Sequence, residues 1–413
     1  MSMNRRELML QMGLVAGANL WSQFLPQISW AQTLEQPDHF FLTVYLPFGW
    51  DTSLCLDPWI SDQKPKESDF FIEYRQDQLL PAHDGFLGPA MNPIQKHFSR
   101  MSVLNGVFIS GRDNGHDSAS HYMLSGNGQN SLGVMSLELE GKKFQSPFGT
   151  VANASVKTGG KAKVILDLNT LVANKSIGDA DALVVIDEAN SELTQSKQAI
   201  LKYSAQMAMF NRLMASFTQS GQAKEHHALA ASFLSGLSMT AHLYVNGIFL
   251  DTHSNHEGEH LNRLKTFFTN LNETFDFFAS IEMPNMPGLS LLDRTTVMVT
   301  SDFTRTPALN TSKGKDHNPQ TNSVMLMSPF LKPGIYGKSQ LISRETSKIG
   351  APYLASVPLD METLQPKLSK EGTFILRPES VFSTLLTSMK IDPGAVSSSF
   401  AKAPLMKTML WST

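Results

Sequence analysis

The chain has 413 residues, a formal charge of −3, 41% hydrophobic and 17% charged residues, which excludes a disordered chain, a membrane bundle and a basic nucleic-acid binder. Cys55 is its only cysteine, so no intramolecular disulfide can form and stability must come from the core. No glycine pattern of the kind that cradles phosphates or dinucleotides occurs, which leaves ATP and NAD chemistry without support.

In chain order, Asn4-Arg5-Arg6-Glu7 leads into an apolar stretch ending at about Leu25, and Ser29-Trp30-Ala31 offers a small-x-small cleavage site. Residues 1–31 read as a twin-arginine signal peptide. The expected partner is the twin-arginine export machinery, the expected location is periplasmic or secreted, and no transmembrane anchor is expected after cleavage. Losing Arg5, Arg6 and Glu7 makes the charge one unit more negative than −3, so nucleic acid remains excluded as a partner.

Residues 32–413 read as a single domain. Strand-like runs fall near 40–46, 101–109, 163–168, 182–186, 243–250, 295–300 and 323–328. A long helical region spans 195–240, interrupted near Ser220-Gly221. Over 257–280, Leu261, Leu264, Phe268, Leu271, Phe275 and Phe278 recur at the spacing of one buried helix face. Alternating strands and helices predict an α/β fold, a three-layer αβα sandwich around a largely parallel sheet. The polar stretch 61–83 reads as an excursion from the sheet, and 330–375, with Pro333-Gly334, Gly337 and Gly350, as a loop or hairpin insertion.

Three apolar runs deliver a carboxylate: Phe40–Leu46 to Asp51, His242–Leu250 to Asp251, and Thr295–Thr300 to Asp302. In parallel sheets ligands bind beyond the strands' carboxyl ends, so these acids are expected on one rim. His253, His256 and His317 lie close by in sequence, giving oxygen and nitrogen ligands for zinc, manganese, magnesium or calcium. An aspartate after a strand is also an ordinary helix cap, and only the recurrence favours a site. Gly115-His116-Asp117-Ser118-Ala119-Ser120 suits a turn into a helix whose N-terminus could meet an ester anion. Ser118 is the first choice as nucleophile and Ser120 the second, against simple capping by Asp117 or Ser118. His256-Glu257-Gly258-Glu259-His260 fits the zinc-peptidase pattern, but Ser254 and Glu257 also have capping-box spacing, which would engage Glu257 at the helix start. His226-His227 reads as surface.

These residues resemble the alkaline phosphatase and sulfatase superfamily, and more closely its secreted branch, domain-of-unknown-function family 1501, over most of the mature chain. The residues that carry the likeness are Asp51, Asp117-Ser118-Ala119 with Gly126, Ser120-His121-Tyr122, Asp251-Thr252-His253, Thr300-Ser301-Asp302, His317 and a closing segment from Pro378 to Asp392. The branch's own hallmark is similar to Ser301-Asp302-Phe303-Thr304-Arg305-Thr306-Pro307, Asn310 and Gly314-Lys315-Asp316-His317. Phe303 departs from it, standing where a phosphatase has His and a sulfatase Asn. Asp302 stands where the branch more often has Glu, and Thr304 where it has Gly.

The resemblance implies a periplasmic metal-dependent hydrolase of small anionic phosphate or sulfate esters. Asp251, His253 or His256, and His317 would hold one divalent metal, and Asp51 and Asp302 a weaker or absent second one, since Phe303 cannot bind a metal. Ser118 would attack and Arg305 would clamp the anion. The alternative is a non-catalytic secreted binding or assembly protein that retains the fold.

Overall fold

The structure, a computed structural model, describes residues 39–60, 74–109, 115–126, 149–152, 165–174, 197–219, 221–318, 320–369 and 371–411. The twin-arginine segment and the strand expected at 182–186 lie outside the described residues. Strands β1 (Phe40–Tyr45), β2 (Met101–Phe108), β3 (Gly149–Ala152), β4 (Ile165–Asp167), β5 (Ser238–Tyr244), β6 (Thr295–Thr300), β7 (Thr321–Met327) and β8 (Gly334–Gly337) form one eight-stranded sheet. Their order is β8-β2-β7-β6-β1-β5-β3-β4. Strand β7 runs antiparallel to β2 and β6, and all other neighbours are parallel. The parallel strands therefore end on a common rim.

Both faces of this sheet are covered, as continuous apolar strands require. In β1, Phe40, Leu42 and Val44 enter one core and Phe41 the other, which is the period-two alternation of a strand. The first core receives helices α2 (Leu168–Asn174), α3 (Lys197–Phe217), α4 (Glu225–Leu234) and α5 (His256–Ser280). The second receives α1 (His116–Ser125) and α6 (Pro378–Ser388). This is the expected three-layer α/β arrangement. Among the described residues, no helix is long and apolar enough to cross a membrane.

Helix α5 buries Leu264, Phe268, Leu271, Phe275 and Phe278 as its spacing predicts, leaves Leu261 half-buried, and extends the same face with two fully buried histidines, His256 and His260. It starts without the expected capping box. Asn255 is the N-cap, in left-handed conformation, and makes no side-chain capping bond. The run expected at 243–250 is displaced: β5 ends at Tyr244, because Asn246-Gly247, with Gly247 at φ +79°, turns the chain there. The helical region 195–240 likewise stops at Leu234, and β5 takes its tail. The segment 330–375 contributes β8 to the sheet edge before forming two antiparallel ribbons, Ser339–Ile342 with Tyr353–Ser356 and Pro358–Asp360 with Thr373–Ile375.

Candidate metal centre

The rim holds two groups of aspartate and histidine. In the outer group, one ligand atom each from His116, Asp251 and His317 lie within 4.8 Å of one another. His253 joins them, its Nε2 standing 3.0 Å from Asp251 Oδ1 and 3.1 Å from His317 Nε2. His317 Nε2 is 3.3 Å from the same Asp251 oxygen. His116 Nε2 is 3.7 Å from Asp251 Oδ2 and, although buried, has no hydrogen-bond partner.

Each of two histidines in this group is backed by a carboxylate on its other nitrogen. His116 Nδ1 donates to Asp302 Oδ2 at 2.5 Å, and Tyr45 Oη donates to Asp302 Oδ1. His253 Nδ1 donates to Asp316 Oδ1 at 2.8 Å, an oxygen that also accepts from Asn310 Nδ2 at 3.0 Å. Carboxylate backing of this kind fixes the tautomer and leaves Nε2 as a lone-pair donor. The Asp302 hydrogen bond raises the His116 imidazole above its ordinary value against the effect of burial. For Asp251, burial acts upward, but the hydrogen bond and charge of Arg305 prevail and hold the carboxyl below its usual range. The centre thus offers imidazole nitrogens and a charged carboxylate, a donor set that fits a divalent metal.

The inner group is closed. Asp51 Oδ1 accepts from Ser53 N at 3.0 Å and Ser53 Oγ at 2.6 Å; Oδ2 accepts from His256 Nε2 at 2.9 Å and Lys315 Nζ at 2.5 Å. A carboxylate has about four lone-pair positions, and all of them are filled. The histidines are tied into a ring whose proton positions follow from one backbone donor. Asp51 N–H can only donate, so His260 Nε2 accepts at 2.9 Å and His260 Nδ1 carries the proton given to Thr252 Oγ1 at 2.8 Å. Thr252 then donates to His256 Nδ1 at 2.8 Å, and His256 Nε2–H closes the ring on Asp51. The His260 imidazole is therefore neutral. Burial, first among the causes, lowers both His256 and His260 below the ordinary value. Burial works upward on Asp51, but Lys315 and the His256 hydrogen bond outweigh it and hold the carboxyl well below the usual range.

The expected ligands consequently separate. The structure brings together Asp251, His253 and His317, adds His116, and makes Asp302 a support. Asp51 and His256 stand apart, one neutralised by a lysine and the other with both nitrogens engaged, which also leaves the peptidase pattern without lone pairs for zinc. Arg305 is not arranged as an anion clamp. It is fully buried, donating from Nε to Gly49 O at 2.9 Å, from Nη1 to Lys315 O at 3.2 Å, and from Nη2 to Phe48 O, to Leu250 O at 3.0 Å and to Asp251 Oδ1 at 2.7 Å. These bonds pin the left-handed pair Phe48 (φ +74°) and Gly49 (φ +69°), strain that only a surrounding framework sustains. Gly49 also admits Phe303, whose ring a Cβ would meet at 2.4 Å. Phe303 is fully buried and packs on His317 and His116, with ring centroids at 4.5 and 5.1 Å.

Of the serines, Ser118 is exposed and donates to Gly115 O at 3.4 Å. Ser120 is half-buried, one turn beyond His116 on the same helix face, donating to Asp117 O at 2.9 Å and hydrogen-bonded with Tyr45. His116 was not among the sequence-derived ligands. Its one signal is a histidine at the first position of a helix that opens onto the rim.

The family model described as "Protein of unknown function (DUF1501)" matches residues 187–350. No curated protein matches the chain. Among solved structures, Ps i-CgsB in complex with k-i-k-neocarrahexaose is 10% identical over 73% of this chain and 68% of its own, with a TM-score of 0.30. A protein in the alkaline phosphatase superfamily from Vibrio parahaemolyticus is 10% identical over 73% and 64%, with a TM-score of 0.33. Lipooligosaccharide phosphoethanolamine transferase A (EptA) from Neisseria meningitidis, an integral membrane protein, is 11% identical over 72% and 49%, with a TM-score of 0.28. The chain spans less than two thirds of the Vibrio protein and about half of EptA. The residues that the DUF1501 model matches carry Asp251, His253, Asp302, Arg305 and His317.

Proposed function

We propose that the chain is a metal-dependent hydrolase of small phosphate or sulfate esters, working at the outer group of the rim. One observation carries this reading: the buried, unpartnered Nε2 of His116 faces the same small space as Asp251 and His317. Three imidazoles favour zinc over magnesium, calcium and manganese, which prefer oxygen ligands. His116, Asp251, His253 and His317 would hold a divalent metal there, which would supply Lewis acidity toward an ester oxygen.

The chain's own residues then have distinct tasks. Asp302 keeps the His116 proton on Nδ1, Asp316 does so for His253, and Arg305 orients Asp251. Ser120, on the His116 face of α1, is the hydroxyl better placed to attack, and Ser118 becomes the second choice. The export reading of Arg5-Arg6 accompanies this function and puts it in the periplasm; replacing both arginines with lysine should leave the precursor in the cytoplasm.

A panel of 4-nitrophenyl phosphate and sulfate, with metal-loaded protein and its Ser120→Ala and Ser118→Ala variants, tests the proposal. Hydrolysis abolished by Ser120→Ala and retained by Ser118→Ala is expected, and the reverse pattern would return the role to Ser118. The engagement of every Arg305 nitrogen favours the alternative, a binding or assembly protein that keeps the fold. Inertness of the loaded protein toward every ester would decide for it.

A further inference from the structure

Sequence resemblance leaves a second metal at Asp51 and Asp302 weak or absent, and the residues there do not fit one. Both Asp302 oxygens accept hydrogen bonds, from Tyr45 Oη and from His116 Nδ1. Both Asp51 oxygens are filled, and the Lys315 ammonium lies 2.5 Å from Oδ2. Lys315, Asp51 and His256 are at most 1% exposed, and the fully buried Phe303 packs on His116, the partner of Asp302.

Lys315 is also held in place by its backbone. Its N–H donates to Thr252 O at 3.0 Å, and His256 N–H donates to Lys313 O at 3.0 Å. Between them Gly314 lies so close to His253 that a Cβ would fall 1.9 Å from the carbonyl carbon, so only glycine lets this loop press against 252–254 and drive the lysine inward. Such a lysine is a fixed part of the interior.

We propose that the Lys315 ammonium is a permanent cation in the position where Asp51 would otherwise need a metal, so that this chain takes one metal ion and none at Asp51. The inference rests on the reading of the outer group as the metal centre, and its test separates the two. An isolated loss of Lys315 would strand a buried carboxylate, so the informative variant removes both charges, Asp51→Asn with Lys315→Met. Zinc content and binding stoichiometry are measured on wild type, on this double variant and on Asp251→Asn, with circular dichroism to confirm folding.

One equivalent in wild type and in the double variant, and none in Asp251→Asn, is the expected result. Two equivalents in wild type falling to one in the double variant would overturn the proposal while leaving the hydrolase reading intact. No zinc in any of the three would overturn the hydrolase reading while leaving Asp51 metal-free as proposed. A second arm asks whether a cation is what the position requires. Lys315→Ala, refolded with zinc or with n-butylammonium, should regain melting temperature that wild type does not gain under the same conditions, and failure of both cations to rescue it would refute the permanent-cation role.

Discussion

The outer and inner groups use the same side chains, aspartate and histidine, on the same rim, and differ in what their free atoms meet. In the outer group Nε2 of His116 is buried without a partner and four potential ligand atoms crowd together. In the inner group every nitrogen of His256 and His260 and every lone pair of Asp51 has a protein partner. Buried polar atoms left unsatisfied are costly, and that of His116 is set apart by its place beside ligand atoms of Asp251 and His317. A fold that satisfies all of them has completed its own structure. The presence of ligand-type residues therefore says less than the accounting of their lone pairs.

The contrast breaks most visibly at Lys315. Lys315→Met should destabilise the protein by about 3–5 kcal/mol, because Asp51 would be left as a buried, uncompensated charge. Chemical denaturation reads this directly, and a loss below about 1 kcal/mol would mean that the inner group is not held by its charges. Thr252→Val comes next. It keeps the shape and removes the one hydroxyl that serves both imidazoles, so about 2–3 kcal/mol should be lost as their Nδ1 atoms go unpaired.

For the outer group, Asp302→Asn should weaken metal binding about 10–100-fold with little change in fold, since it removes the charge that backs His116. Unchanged affinity would show that Asp302 is not a support. The inner ring also sets a pH dependence. Burial depresses the folded value of His260 below 6.5, so its contribution is complete above pH 6.5 and is lost as pH falls toward that depressed value. Unfolding free energy should therefore decline between pH 7 and 5, and His260→Gln should flatten the slope; an unchanged slope would place a charged imidazole in the ring. The smallest effect belongs to Ser118→Ala. Its exposed hydroxyl makes one long bond, and stability should move by less than about 0.5 kcal/mol.

Much of the scaffold was legible in the sequence because it depends on local periodicity. Strands β1, β2, β6 and β7 and the buried face of α5 follow from apolar runs and helical spacing, and Asp302 follows from a strand end, whereas Asp251 lies beyond the turn that ends β5. What was illegible depends on long-range pairing. Asp302 meets His116 across 186 positions, and Lys315 meets Asp51 across 264. Nothing near Asp51 in the chain announces that a lysine, usually a surface residue, will neutralise it. Arg305 looked available for an anion because its five backbone and side-chain acceptors come from three separate stretches of chain. The Asn246-Gly247 turn was visible, yet the apolar residues on both sides of it carried the strand reading too far.

Cobalt(II) substitution tests the central claim most directly, because visible absorption reports ligands to the ion and needs no substrate. Titration of the wild-type protein should give one equivalent of bound cobalt with a saturating spectrum, His116→Ala should alter or abolish it, and Asp51→Asn with Lys315→Met should leave it unchanged. A wild-type spectrum that His116→Ala leaves untouched and the Asp51–Lys315 double variant removes would contradict the account, placing the ion in the inner group and not in the outer one.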